Sequence, residues 1–169
     1  MNNPVLDAIY TRRSVRQFTQ EPVSEDDIIE IIRAGHWAPS GLNNQPWRFA
    51  IVTDPDLKKG FESLTKYRKV IEQAPVLIPV FIDREAMYHA TKDHQAIGAC
   101  LQNMLLAAHS MGIGAVWLGE ILKSAEQVRK LLDLPDNLEL MAVIALGQPA
   151  RRDQVSSRKE LSQVIVFHR

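Results

Sequence analysis

Three guanidiniums and a hydroxyl stand within five residues, at Arg12, Arg13, Ser14 and Arg16. A guanidinium fork matches two oxygens of a phosphate, and a serine hydroxyl adds a short neutral donor. Arginines this close repel one another unless an anion sits among them. The same residues also suit a solvated helix end, where arginine complements the C-terminal dipole. A second segment, Pro39-Ser40-Gly41-Leu42-Asn43-Asn44-Gln45-Pro46-Trp47, is dense in amides and hydroxyls and ends on an aromatic. Amide side chains both donate and accept, which suits the edge of a heteroaromatic ring. Its plainer reading is a turn-rich connection.

Other motifs carry less. Gly112-Ile113-Gly114 follows a helix, leads into a strand and has Trp117 where a dinucleotide fingerprint needs glycine, so that reading is rejected. The histidines are His36, His89, His94, His109 and His168. His89 and His94 are not at the spacing that puts two ligands on one helical face, so no metal site is expected. Cys100 lies mid-helix among apolar residues and reads as a buried structural thiol rather than a nucleophile.

These groups need a scaffold, and 169 residues suffice for one domain. The chain is 46% hydrophobic and 24% charged, which suits an ordinary globular protein. Lys+Arg and Asp+Glu are both 20, and a dedicated nucleic-acid binder would carry a basic excess. One cysteine makes no internal disulfide and no thiolate metal cage. No stretch approaches a membrane span, and residues 1–14 lack a signal-peptide layout. The expected location is therefore the cytoplasm.

The periodicity alternates helices and strands. Asn3 and Pro4 open a first helix that runs into Arg12 and Arg13. Ser24 and Asp27 form a capping box, with Val23 and Ile28 as its staple, for a helix ending near Gly35. Trp47 to Val52 is a strand, and Asp54-Pro55 opens another helix. Val76 to Ile82 is a strand buried on both faces, and Pro79 within it predicts a bulge or an unpaired edge. His94 to Met111 is the longest helix. It is apolar nearly all round, hence buried on more than one side, and Gly112 stops it. Ala115 to Leu118 is a strand, and Ser124 and Gln127 box a short helix. Leu140 to Leu146 is the fourth strand. The apolar run Val164 to Phe167 is detached by a polar arm and is free to pair with a neighbour's sheet. The order indicates an α/β or α+β layer fold.

Taken in order, these segments resemble the nitroreductase family of flavin-dependent oxidoreductases. Arg12, Arg13, Ser14 and Arg16, closed by Phe18, match the family's opening pattern. Ala38, Pro39, Ser40, Asn43, Gln45, Pro46 and Trp47 match its loop. Ala96 through Gly119 matches its long helix, glycine pair and Trp-containing strand. Leu146, Gly147 and Pro149 match its late strand end, and Arg158 its basic tail residue. The resemblance covers essentially the whole chain and implies an α+β fold. This is a three-layer α/β/α sandwich around a mostly antiparallel sheet, one FMN-binding domain over residues 1–169, with the C-terminal arm exchanged onto a partner subunit.

It further implies a homodimer that binds FMN at the interface and takes NADH or NADPH as co-substrate. Arg12, Arg13, Ser14, Arg16 and Arg158 would hold the phosphate and ribityl chain. Gly119 and Glu120 would present backbone donors near the flavin's reactive nitrogen. Pro39, Ser40, Gly41 and Asn43 would reach in from the other subunit. The acceptor would be a small electron-poor molecule such as a nitroaromatic or quinone, and no side-chain base is required for hydride transfer. The chain is short beside larger members and lacks the inserted helices that often cover the substrate side. Two alternatives stand beside this one: a non-catalytic flavin store, and a specialised branch such as a dehalogenase or flavin-fragmenting enzyme.

Overall fold

A computed structural model describes residues 3–169; Met1 and Asn2, the start of the segment read for an export signal, lie outside the described residues. Helix α1 (Pro4–Thr11) starts where Asn3 accepts hydrogen bonds from the N–H groups of Val5 and Leu6. Helix α2 (Glu25–His36) starts at Ser24, whose hydroxyl accepts from Asp27 N. Strand β1 (Trp47–Phe49) precedes α3 (Pro55–Glu62), which Asp54 caps by accepting from Leu57 N at 2.7 Å. A helix not anticipated from sequence, α4 (Arg68–Gln73), leads into β2 (Val76–Asp83).

Helix α5 (Ala90–Ser110) begins four residues before the expected His94. It ends in a Schellman motif: Gly112 N donates to His109 O, and Ile113 N to Ala108 O. Gly112 has φ +76°, so glycine is required there. Strand β3 (Gly114–Leu118), a 3-10 turn (Glu120–Ser124), α6 (Ala125–Leu131) and β4 (Leu138–Gly147) complete the body. The Ser124 capping box does not form. The 3-10 turn runs straight into α6, and the Ser124 side chain makes no cap hydrogen bond.

The four strands form one antiparallel sheet in the order β1-β2-β4-β3. Alternating side chains send Ile78, Val80 and Ile144 toward α2 and α5, and Leu77, Phe81 and Val143 toward α3, α4 and α6. Two apolar cores on opposite faces of one sheet make the three-layer α/β/α sandwich of an α+β fold. Pro79 explains an interruption. Leu77 and Pro79 both turn their backbone groups toward β1: Val52 and Leu77 exchange hydrogen bonds, and Ala50 N donates to Pro79 O. Proline has no N–H to return. Pairing with β1 lapses between Phe49 and Val52, and a bulge follows between Val80 and Phe81 on the β4 side.

The arm departs after β4. Residues 151–169 are almost wholly exposed, and Val164 to Phe167 form no strand within one protomer.

Candidate functional site

Arg12 caps α1, its N–H donating to Ala8 O, and the chain then continues without helical turns. Val15 N bonds Ala115 O, Thr19 N bonds Gln148 O, and Ala150 N bonds Gln17 O. This segment is thus stitched to β3 and to the end of β4. Phe18 is buried against Gly147, where a Cβ would stand 2.8 Å from its ring, and bridges Pro149. The Arg-Ser motif and the Leu146-Gly147-Pro149 motif are therefore one junction.

Beside it, arginines line a cavity that has no acidic residue in its lining. Arg12, Arg13, Gln102 and Arg158 line a cavity of about 420 Å³. Burial, then Arg13 and Arg158, depress the Arg12 pKa below its usual value. Arg13 Nη1 donates to Tyr10 O at 2.7 Å and Arg12 O at 2.8 Å, but its Nε is buried with no acceptor. Arg158 donates to Ser157 O at 2.8 Å and to the Ser156 hydroxyl. Among the described residues, Arg12, Arg13, Arg16, Arg152 and Arg158 enter no ion pair. Ser14 is half-buried beside this group, and Arg16 is exposed. A buried donor without an acceptor costs about 1–3 kcal/mol, so the arrangement is suited to an anion.

Gly119 and Glu120 lie at the end of β3, where the 3-10 turn begins. The first N–H groups of such a turn have no upstream carbonyl to bond and point out of it. The Glu120 carboxylate is engaged elsewhere. It accepts from Lys123 Nζ at 2.5 Å, Thr65 Oγ1 at 2.7 Å and Lys66 N at 3.0 Å. Those bonds, Lys123 first, pull its pKa down to about 2.

The Pro39–Pro46 loop holds a 3-10 turn (Gly41–Asn43), and Leu42, Asn43 and Gln45 all have left-handed φ near 50°. Ser40 Oγ accepts from Gln45 N, and Gln45 Nε2 donates to Asn43 O, both at 3.0 Å. Asn44 Nδ2 donates to Ala86 O at 2.9 Å and to Asp93 Oδ1 at 2.8 Å. Asp93 is fully buried, and its other oxygen accepts from the N–H groups of Tyr88 and His89. Tyr88 lies so close over Gly41 that a Cβ there would meet its hydroxyl. Pro39, Leu42 and Asn43 stay exposed, and among the described residues no hydrogen bond joins this loop to Arg12, Arg13, Arg16 or Arg158 within one protomer.

Sequence reasoning missed three members of this end of the molecule. His109, Arg152 and Thr11 share a smaller cavity with Arg13. His109 and Arg152 are far from Thr11 and Arg13 in sequence, and only the fold brings them together. Among the described residues no three His, Cys, Asp or Glu side chains group as metal ligands, and no helix is long and apolar enough to cross a membrane. Burial pushes the Cys100 thiol up to about 12, so it is no nucleophile at neutral pH.

The nitroreductase family profile matches residues 9–66 and 59–148. The chain belongs to the nitroreductase family. It is 33% identical to an NADPH-flavin oxidoreductase of Vibrio harveyi, over 99% of this chain and 74% of that one. It is 31% identical to an NADH dehydrogenase of Thermus thermophilus, over 97% of both. A nitroreductase homologue of Desulfovibrio desulfuricans, crystallised in complex with FMN, superposes with a TM-score of 0.96 at 47% identity, over 100% of this chain and 99% of that one. The family match takes in Arg12 to Phe18 and Leu146 to Gln148, the two sides of the junction at Phe18 and Gly147. The family match also spans the Pro39–Pro46 loop that Asp93 anchors.

Proposed function

We propose that the chain, as one domain, is an NAD(P)H-dependent oxidoreductase that holds FMN and passes reducing equivalents from NADH or NADPH to a small electron-poor acceptor, such as a nitroaromatic or a quinone. The observation that carries this reading is the cluster of unpaired arginines around the buried, acceptorless Arg13 Nε. A phosphate monoester supplies the oxygens that this cluster lacks. When bound, FMN supplies a two-electron carrier, and the protein supplies its seat and electrostatics.

Arg12, Arg13, Ser14, Arg16 and Arg158 hold the phosphate and the chain attached to it. The N–H groups of Gly119 and Glu120 donate toward the ring. They are kept in place because Glu120's carboxylate anchors the turn to Thr65 and Lys66. Fixed donors aimed where negative charge develops need no reorganisation during the reaction. Pro39, Ser40, Gly41 and Asn43 serve the site of a second copy, which accounts for the exposure of Pro39 and Asn43 and for Asp93's hold on the loop.

A homodimer follows on the same reading. Helix α1 buries none of its residues within the protomer: Val5 is 64% exposed and Tyr10 67%. Trp37, 80% exposed, borders a groove of about 470 Å³ with Pro4, Val5, Ala8 and Leu106. Contiguous apolar surface of this kind marks an interface. The arm's Val166 is 96% exposed and Phe167 71%. In an exchanged arm the run Val164 to Phe167 lies along the free edge of the partner's β1, beside a groove of about 500 Å³ lined by Ile29, Ile32, Trp47 and Phe49. One unpaired thiol and a nicotinamide co-substrate are consistent with the cytoplasm.

The test is anaerobic mixing of the purified yellow protein with NADH or NADPH. Bleaching of the flavin band on the turnover timescale is expected, and acid should release FMN. A bound flavin that neither nucleotide reduces would make the protein a store. Recovery of FAD, or of no flavin, would overturn the reading at its base.

A further inference from the structure

Beside the cavity that Arg158 lines is a second one of about 150 Å³, between the end of α1, the last turns of α5, the start of β3 and the root of the arm. Its polar lining is Thr11, Arg13, His109, Arg152 and Gln154, with no carboxylate. Thr11 Oγ1 donates its one proton to Asp7 O at 2.6 Å, so the 2.8 Å bond to His109 is donated by Nε2 of the imidazole. Nδ1 of His109 is left for another partner. Arg152 spends one Nη2 proton on Gly112 O at 2.6 Å and keeps its other donors. Arg13 borders both cavities.

We propose that this inner cavity is a second anion site, taking one small oxyanion of the phosphate or sulfate class, separate from the seat of the cofactor phosphate between Arg12 and Arg158. The inference rests on the proposed function in one respect: FMN carries a single phosphate and fills one of the two cavities. The volume admits a tetrahedral oxyanion and excludes a nucleoside. The occupant supplies a counter-charge shared by Arg13 at the α1 end and Arg152 at the arm root, beside His109 of α5.

Burial, then Arg12, Arg152 and Arg13, keep the His109 pKa below its usual value, so the empty site holds a neutral imidazole at neutral pH. An anion among the same groups favours the imidazolium. Binding therefore takes up a proton and strengthens as the pH falls through the anion-bound pKa toward the lowered pKa of the anion-free protein. The charged groups facing His109 are Arg12 and Arg13 from the α1 end and Arg152 from the arm, all of one sign.

The experiment is calorimetric titration of inorganic phosphate into the FMN-loaded protein, freed of phosphate and sulfate, with flavin content read by absorbance on the same sample. One saturable site per protomer is expected, with FMN retained. Arg152→Met should weaken it about ten-fold or more, as loss of a charge-assisted contact implies, and leave flavin content unchanged. Arg158→Met should lower flavin content and keep the phosphate site. His109→Asn supplies a second variant should Arg152→Met fail to fold; it should abolish the proton uptake on binding. Adenosine 2′-phosphate separates a free ion from a tethered phosphate: binding about ten-fold weaker than inorganic phosphate supports the free ion, and equal binding overturns it. No saturable binding up to about 10 mM overturns the proposal, as does release of one FMN per phosphate bound, which would make the cavity the cofactor's own seat. Absence of FMN from the wild-type protein would count against the proposed function, while the phosphate titration would still be readable.

Discussion

Replacing Asp93 by Asn should cost far more than its near-identical shape implies. One carboxylate oxygen accepts from Tyr88 N at 2.9 Å and His89 N at 2.8 Å, and the other from Asn44 Nδ2 at 2.8 Å. An amide at position 93 offers one acceptor where two are needed. With its oxygen toward the backbone, its NH2 faces the NH2 of Asn44. If Asn44 then flips, its oxygen faces Ala86 O, with which its nitrogen now bonds. One contact is broken in every arrangement, at about 1–3 kcal/mol, and the two backbone bonds lose their charge assistance, at roughly another 1–2 kcal/mol together. The expected loss is about 2–5 kcal/mol, measured by urea unfolding at fixed protein concentration.

The pH dependence supplies an independent check. Burial alone would raise the Asp93 pKa, but the bonds from His89 N, the Asn44 side chain and Tyr88 N outweigh it, and the net shift is downward from 3.8. A depressed folded-state pKa contributes stability that is present above 3.8 and is lost as the pH falls through the folded value. The wild-type protein should lose that component on acidification and Asp93→Asn should not, so the gap between them narrows below pH 3.8. A gap under about 0.5 kcal/mol at neutral pH, within the range of an ordinary surface change, would refute the reasoning.

Two further outcomes are expected. Gly35→Ala puts a methyl 2.6 Å from Met104 Cγ and 3.1 Å from Cys100 Sγ at the α2–α5 crossing; overpacking should exceed the gain in helix propensity and lower stability by about 1–2 kcal/mol in thermal unfolding. Co-expressed Arg12→Ala and Asn43→Ala chains should form heterodimers in which one site carries both defects and the other neither, recovering about half the wild-type flavin at limiting FMN if each contact is worth roughly 1–3 kcal/mol; a heterodimer no better than the mean of its parents would show that each site belongs to one subunit.

What could be read from the sequence was local chemistry. Asn3, Ser24 and Asp54 announce their helices because a side-chain oxygen satisfies N–H groups two or three residues ahead. Pro79 announces a lapse in pairing because the missing donor belongs to the residue itself. What failed needed partners from elsewhere. Helix α4 has no side-chain cap at Tyr67 and is held by burying Val70 and Ile71 against another layer. Helix α5 starts early because Asp93 bonds the N–H groups of Tyr88 and His89 from inside it, where His89 itself offers no cap. At the site, the arginines were visible because they are adjacent in sequence. His109 and Arg152 join Thr11 and Arg13 only through the fold, and nothing at their own positions marks them.

The connection that carries Asp93's partners bears on selectivity as well as stability. Only residues 84–89 separate β2 from α5, and they are spent on holding the Pro39–Pro46 loop: Ala86 O accepts from Asn44, Tyr88 covers Gly41, and the N–H groups of Tyr88 and His89 bond Asp93. The Vibrio harveyi relative is longer, this chain covering 74% of it. On the proposed function, a segment this short positions the loop and leaves little chain to cover the acceptor side. Discrimination between acceptors requires buried polar groups that the wrong molecule leaves unpaired, and such groups are scarce on an open face. The rate should therefore follow how readily the acceptor takes electrons more closely than its shape, with nitroaromatics and quinones of similar potential turning over at similar rates.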